Sequence, residues 1–417
     1  MPPSASVGFP SQTATPAERT RRRAFGRAPM LSALLLTAVG CEERDESPTG
    51  PEAAPAVAAA AAQPLSFRQV DEGFNYSCGV TTDDRAWCWG ANDGGQLGDG
   101  TGIDRLTPRL VAGGRRFRHV STGGAHACGV TTEDRVYCWG WNLRGQVGDS
   151  TSTRRLAPVL VYGGRRYRLV RLGAEHSCAL TTAGATYCWG SNLSGQLGIG
   201  STVVKRRLIP VKVTGGIVFQ QLRAGGLQSC GLNAAGKAWC WGSNEGGRLG
   251  DGTMVNRTSP RAVAGGQVFQ SLSMGGGHGC GVTAANAAYC WGNNGDGQLG
   301  DGTTSGRLVP TAVGGGLQFE GVSAGGTHTC AVTPADLVYC WGANSYGQLG
   351  NGSSSTRLSP TQVGGRVTFG QITAGDRHTC GVTASNAAHC WGNNDRGQLG
   401  NGTTANYWMP FPVSGAM

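Results

Sequence analysis

Charged residues are sparse in this chain, at 14% of 417. No stretch sustains apolar residues at a 3.6-residue period, which argues against a helical architecture. The apolar run from Met30 to Val39 is too short to cross a bilayer as a stable helix. No nucleophile elbow, H-E-x-x-H helix or P-loop is expected. The many Gly-x-x-Gly-x-Gly strings belong to turns, because no strand–helix nucleotide unit surrounds them. On these absences the chain is read as a non-enzyme that carries no cofactor and no metal.

Glycine, by contrast, is abundant, at 72 residues. It supplies the positive-φ positions of tight turns, and a Gly-rich chain with regular apolar spacing reads as all-β. The cysteines give the organisation. Fourteen of 15 fall into pairs ten residues apart: Cys78 with Cys88, Cys128 with Cys138, Cys178 with Cys188, Cys230 with Cys240, Cys280 with Cys290, Cys330 with Cys340 and Cys380 with Cys390. The first members step by 50 residues, except for one step of 52. One supersecondary unit is therefore copied seven times, with repeats starting near residues 66, 116, 166, 218, 268, 318 and 368.

Each unit opens with an aromatic residue eleven positions before its first cysteine, as in Phe117-Arg118-His119-Val120. A second strand carries Cys-Gly-Val-Thr, a polar turn such as Thr132-Glu133-Asp134 follows, and the third strand is Tyr-Cys-Trp-Gly. After a Gly-rich loop, Pro158-Val159-Leu160-Val161 reads as a fourth strand. Four short strands per unit of about 50 residues make the blade of a seven-bladed β-propeller. The first unit lacks a preceding fourth strand and Pro410-Phe411-Pro412-Val413 lacks a successor. Pairing of the N- and C-terminal strands is expected to close the ring and remove two open edges.

A second-to-third-strand hairpin folded about residue 83 sets Cys78 opposite Cys88 and Val80 opposite Ala86. Opposed residues on one face come close enough for a disulfide at non-hydrogen-bonded positions. One disulfide per blade is predicted. Structural zinc fits less well, since it needs four ligands and closer spacing; free buried thiols in a cytosolic protein are the other reading.

The fifteenth cysteine, Cys41, follows Arg21, Arg22, Arg23, Arg27 and the Met30–Val39 run. A basic stretch, a short apolar run and small residues make a secretory signal. Thr37-Ala38-Val39-Gly40-Cys41 resembles a bacterial lipoprotein box, in which the cysteine is lipidated. The expected domains are a signal sequence over 1–41, an Ala/Pro-rich flexible tether over 42–64 and the propeller over 65–417.

The string Cys340-Trp341-Gly342-Ala343-Asn344-Ser345-Tyr346-Gly347-Gln348-Leu349-Gly350-Asn351-Gly352, with Arg-Leu-x-Pro downstream, closely resembles the repeat of the regulator of chromosome condensation family. The resemblance covers residues 66 to about 413. It implies a seven-bladed propeller that binds other proteins. The family includes a nuclear nucleotide-exchange factor for a small GTPase and a secreted bacterial inhibitor of β-lactamases. An export signal and paired cysteines do not suit a nucleus, so only fold and protein binding are carried over.

Five units place a histidine two before the first cysteine: His126, His176, His278, His328 and His378, with Tyr76 and Gln228 in the other two. A structural hydrogen bond explains them better than a metal or pH-sensing ring. Six units carry an arginine before the fourth strand: Arg105, Arg155, Arg207, Arg257, Arg307 and Arg357. These are read as braces on their own loops, bonding carbonyls, with a cationic circle as the other reading. Charge is unevenly spread: residues 100–225 hold 18 Lys/Arg against 5 Asp/Glu, and residues 226–417 hold 9 against 8. The candidate partner-binding residues are Arg115, Arg116, Arg154, Arg165, Arg166, Lys205, Arg206 and Arg207 in the basic stretch, with Arg144 and Trp141 as variable loop residues. Asn142, Leu143, Tyr346, Asp395 and Arg396 are taken as further variable tips, and Trp408 as a second extra aromatic. A basic patch favours an acidic partner, while nucleic acid is disfavoured for lack of interleaved aromatics.

The expected protein is an exported, lipid-anchored propeller scaffold that binds another macromolecule, first of all a protein, through one face and its loops. Alternatives are an inhibitor or sequestering factor of an extracellular enzyme, an exchange factor-like protein, and an enzyme with a site in the central channel. It meets the membrane through its lipid alone and is favoured as a monomer. Its expected place is the cell envelope, facing periplasm or exterior, or else the medium.

Overall fold

Short apolar-polar segments separated by Gly, Asp and Asn turns fold back on one another as antiparallel hairpins. The computed structural model describes residues 65–415. Over them the chain forms seven four-stranded antiparallel sheets, each from one repeat and each in simple sequential order. In blade 1 the strands are Phe67–Glu72, Tyr76–Thr81, Ala86–Gly90 and Arg105–Leu110. In blade 7 they are Gln371–Ala374, His378–Val382, Ala388–Gly392 and Tyr407–Pro412. The protein is a seven-bladed β-propeller, all-β among the described residues apart from one 3-10 turn at Glu245–Gly247.

The hairpin register is the one expected: Cys78 faces Cys88 and Val80 faces Ala86. In the same way Cys128 faces Cys138, Cys178 faces Cys188, Cys230 faces Cys240 and Cys280 faces Cys290. Cys330 faces Cys340 and Cys380 faces Cys390 in the last two blades. All seven pairs are disulfides, with Cα atoms 4.0 to 4.1 Å apart, so the zinc and free-thiol readings are set aside. The turn between these strands holds Asp84 at φ 67°, a left-handed conformation that Asp tolerates through its short polar side chain. The fourth strand begins earlier than its sequence suggested. It starts at the repeat arginine, as in Arg155–Leu160, and leaves Val161 outside.

The core lies between blades rather than within them. At the seam between the last blade and the first, Phe67, Val70 and Trp89 of blade 1 pack on Cys380, Cys390 and Leu399 of blade 7. The Trp of each third strand is fully buried and donates its indole N–H across the interface. Trp139 Nε1 to Gln96 O is 2.9 Å, Trp241 Nε1 to Gln196 O is 3.0 Å, and Trp89 Nε1 to Gln398 O is 2.9 Å. A buried indole N–H needs such a partner.

The ring closes between its first and last repeats, but the expected strand pairing of the two termini does not occur. The terminal strand pairs with the third strand of its own blade, His389 facing Pro412, and the first strand pairs only within blade 1. Closure uses the links found at every other interface, together with Arg396 Nε donating to Asp104 Oδ2 at 2.6 Å. Contiguous blades suffice here because side-chain bonds and loop backbone bonds, such as Phe67 N to Asn386 O at 2.8 Å at the seam, join neighbours without a shared sheet.

Candidate functional site

Strand order decides what each loop faces. In a sequential antiparallel sheet, alternate connections lie at opposite ends. The first-to-second and third-to-fourth connections therefore share one face, here the rim face. The second-to-third connections and the links between blades share the opposite face. The first strand of each blade is innermost, and these strands with their rim-face turns line a central cavity of about 1030 Å³.

At the cavity mouth the backbone itself is ringed. Ala174 N donates to Gly226 O at 2.9 Å, Gly276 N to Gly325 O at 3.0 Å and Gly326 N to Gly375 O at 2.9 Å. This close approach demands glycine nearby: a Cβ on Gly173 would stand 2.3 Å from Gly225 O.

The histidine position is structural. His126 Nε2 pairs with Ser177 Oγ at 3.0 Å, His278 with Thr329 Oγ1 at 2.8 Å, and His378 with Ser77 Oγ at 2.9 Å, each in the next blade. His176 and His328 do the same with Ser229 and Thr379. The two substitutes also reach forward: Gly123 N donates to Tyr76 Oη at 3.1 Å, and Gln228 Nε2 donates to Gly275 O at 2.9 Å. Burial pushes the imidazoles down to about 3 for His126, His328 and His378 and about 4 for His176 and His278, so they are neutral.

The repeat arginines are also braces, though their main partner is a carboxylate rather than a carbonyl. Arg105, Arg155, Arg257 and Arg307 pair with Asp99, Asp149, Asp251 and Asp301 at 2.6 to 2.8 Å. Burial opposes ionisation of Asp251, yet hydrogen bonds from Thr253 and Arg257 hold it below the ordinary carboxylate range. Arg207 and Arg357 lack the aspartate, because Ile199 and Asn351 occupy its position. Asn142 is corrected from a variable tip to a buried organiser. Its Nδ2 donates to Thr151 O at 3.1 Å and Thr153 O at 3.0 Å, and its Oδ1 accepts from Val147 N at 2.9 Å.

The basic candidates do not form one surface. Arg115, Arg116, Arg165 and Arg166 lie on links between blades, hence on the opposite face. There Arg115 stacks over Tyr137 at 4.2 Å and Arg165 over Tyr187 at 4.5 Å, while Arg166 Nη1 donates to Glu133 O at 2.9 Å. Trp141, Arg144, Arg154 and Lys205 lie in third-to-fourth connections on the rim face, with Arg206 and Arg207 opening the strand that follows. Arg144 pairs with Glu175 at 3.5 Å. Arg154 Nη1 donates to Asp93 O and Arg206 Nη1 to Leu143 O, each at 2.7 Å. The two-residue insertion ahead of Arg207 leaves Val203 84% exposed.

Trp141 lines the cavity mouth and is 39% exposed. The same position in the other blades holds Ala91, Ser191, Ser243, Asn293, Ala343 and Asn393. Trp408 instead packs over Gly347 of the preceding blade, where Leu156 and Leu308 do so in other blades. Tyr346 holds Arg377, whose Nη1 donates to its Oη at 2.9 Å. One string, Gly321-Val322-Ser323-Ala324-Gly325, does spell Gly-x-Ser-x-Gly, which corrects the expectation that the elbow signature is missing. It lies in and just past an inner strand, Gly321–Ala324, and Ser323 Oγ accepts from Ala374 N at 2.9 Å. A nucleophile elbow is a strand-to-helix turn, and this is not one.

Seven interlocked blades with a cavity opening on one face define a repeat-built propeller of the regulator of chromosome condensation type. The chain belongs to the RCC1-like family: the RCC1-like domain matches residues 35–321, and the regulator of chromosome condensation (RCC1) repeat matches 336–382 and 386–417. Among solved structures it is similar to human WBSCR16, with a TM-score of 0.73 at 21% identity over 79% of this chain and 94% of that one. Yeast RCC1 (Prp20) bound to Kap60 gives 0.71 at 20% identity, over 84% and 85%. The CRINKLY ectodomain of the Arabidopsis thaliana receptor kinase ACR4 gives 0.53 at 19% identity, over 84% and 100%. At these identities the likeness is one of fold. No curated protein matches the sequence.

Proposed function

We propose that this chain is an exported, lipid-anchored propeller that binds a protein partner through its rim face and performs no chemistry of its own. Trp141 carries the reading. A large aromatic stands half-exposed at the cavity mouth, where the scaffold uses only small residues, and Trp is favoured at interface hot spots. On the same face the exposed Leu143, Leu193 and Val203 accompany Arg144, Arg154, Lys205 and Arg206. A surface of this kind suits a partner with an acidic border around an apolar contact. Protein binding is precedented in the fold, since yeast RCC1 was solved bound to Kap60. Seven disulfides suit an oxidising compartment. The signal over 1–41, lipidation at Cys41 and the tether over 42–64 lie outside the described residues and are part of the proposal. The test is affinity capture from envelope and secreted extracts of the native host. The wild type is run beside a rim variant (Trp141→Ala, Arg144→Ser, Lys205→Ser) and an opposite-face variant (Arg115→Ser, Arg116→Ser, Arg165→Ser, Arg166→Ser). A partner lost only by the rim variant is expected. A partner lost only by the opposite-face variant rejects the assignment.

A further inference from the structure

The inner strands place one residue per blade at the same level of the channel wall. Four blades use hydroxyls (Ser121, Ser273, Ser323 and Thr373), blade 1 uses Asp71, and the adjacent blades 3 and 4 use Arg171 and Arg223. In three blades the oxygen at this level has a structural task. Asp71 Oδ2 accepts from Thr122 N at 2.7 Å, Ser273 Oγ from Ala324 N at 2.9 Å and Ser323 Oγ from Ala374 N at 2.9 Å, each in the next blade. A guanidinium carries donors only, so Arg171 and Arg223 cannot do this.

What they do instead leaves their charge without a hydrogen-bonded counterion. Arg223 donates from Nε to Leu272 O at 2.7 Å and from Nη1 to Leu222 O at 2.9 Å. Arg171 donates from Nη1 to Val170 O at 3.2 Å and meets the imidazole of His119. Neither set of hydrogen-bond partners includes a carboxylate. Asp71, the acid on this level, attracts both arginines through space, but its Oδ2 accepts from the backbone and hydroxyl of Thr122 and it forms no hydrogen bond with either guanidinium. Arg248, which also lines the cavity, is already matched by Glu245 at 3.1 Å. Arg171 and Arg223 each keep N–H donors on the cavity, in a planar fork suited to a two-oxygen anion.

We propose that the central cavity is an oxyanion site in which Arg171 and Arg223 together bind a carboxylate or phosphate group entering from the rim face. Burial, and then repulsion from Arg171, push Arg223 down to about 9. Asp71 offsets part of this through space, and a bound anion would offset more of it. Burial also raises Glu72 and Asp376 across the channel toward their neutral forms, which weakens them as countercharges. The cavity, at about 1030 Å³, has room for a small anion with its first hydration shell.

Isothermal titration of the oxidised full chain at low ionic strength tests this, with inorganic phosphate and with succinate as separate probes. Saturable one-to-one binding of at least one probe is expected, and which one binds identifies the anion class. Arg171→Gln and Arg223→Gln should each weaken it at least tenfold, whereas Arg261→Gln, on an exposed outer strand, should leave it unchanged. Should a Gln variant fail to fold, Arg223→Lys keeps the charge and loses the fork, and the same tenfold loss is expected. Failure of both probes to bind the wild type, or unaltered affinity in the folded arginine variants, overturns the proposal.

Discussion

Trp89 Nε1 donates to Gln398 O across 2.9 Å, joining residues 309 apart in sequence. The same bond recurs at each of the other interfaces, as from Trp189 to Gln146 and from Trp391 to Gln348. The seam where the ring closes is therefore chemically ordinary. Trp89→Phe removes one donor and leaves a buried carbonyl, which should cost about 1–3 kcal/mol. Trp241→Phe, away from the seam, should cost the same within about 0.5 kcal/mol. Urea denaturation of the two variants makes the comparison; a much larger loss at Trp89 would mean that the seam is a special weak point.

Each disulfide closes a short hairpin loop, as from Cys230 to Cys240 with Cα atoms 4.1 Å apart. In the chain-entropy model a loop of that size contributes about 2–3 kcal/mol. The double variant of Cys230→Ser with Cys240→Ser should lose that amount in guanidinium denaturation, and so should Cys128→Ser with Cys138→Ser in blade 2. Because all fourteen cysteines of the pairs are buried, a mild reductant should leave the native ring oxidised and act only once denaturant opens it.

Acid should destabilise the ring through its five interface histidines. Their folded values, about 3 to 4, lie below the unfolded value of about 6.5. The unfolded chain therefore binds protons that the folded chain refuses. Their contribution to stability is whole above about pH 6.5 and is lost as pH falls toward the folded values. Each histidine contributes a slope of about 1.4 kcal/mol per pH unit within that window. Denaturant midpoints should fall steeply between pH 6.5 and 4.5, and His278→Gln should flatten the fall, as Gln228 already fills this position in blade 4.

Asp251 is almost wholly buried against Arg257 at 2.6 Å. Asp251→Asn should cost less than about 1 kcal/mol, because blades 6 and 7 carry Asn351 and Asn401 at this place. Arg257→Ala leaves the carboxylate without its cation and should cost about 1–3 kcal/mol. Thermal melts of the two variants decide; equal losses would show that the ion pair does not brace the loop.

The blade was legible because its signals are local. Cys78 and Cys88 lie in one hairpin, as do Cys178 and Cys188 or Cys280 and Cys290, and a period of two fixes which residues oppose. What joins the blades was not legible, since Trp89 and Gln398, or His378 and Ser77, meet only once the ring has closed. Strand pairing of the termini was inferred from open edges, but the edges are tolerated and the links lie in side chains and loop backbone. The basic residues were grouped by sequence proximity, whereas strand parity sends Arg115 and Arg154 to opposite faces. Asn142 passed for a tip residue although the same Asn stands in every repeat, from Asn92 to Asn394. The channel arginines had a readable signal that went unused: seven equivalent positions, five of them small or acidic and two of them Arg171 and Arg223.

Everything proposed for this ring depends on recognition through the rim face. Hydrogen–deuterium exchange of the ring with its captured partner tests this most directly. Slowed exchange is predicted at residues 141–144 and 192–206, with the links at 111–116 and 161–166 unchanged. Slowed exchange confined to those links would place the interface on the opposite face and contradict the claim.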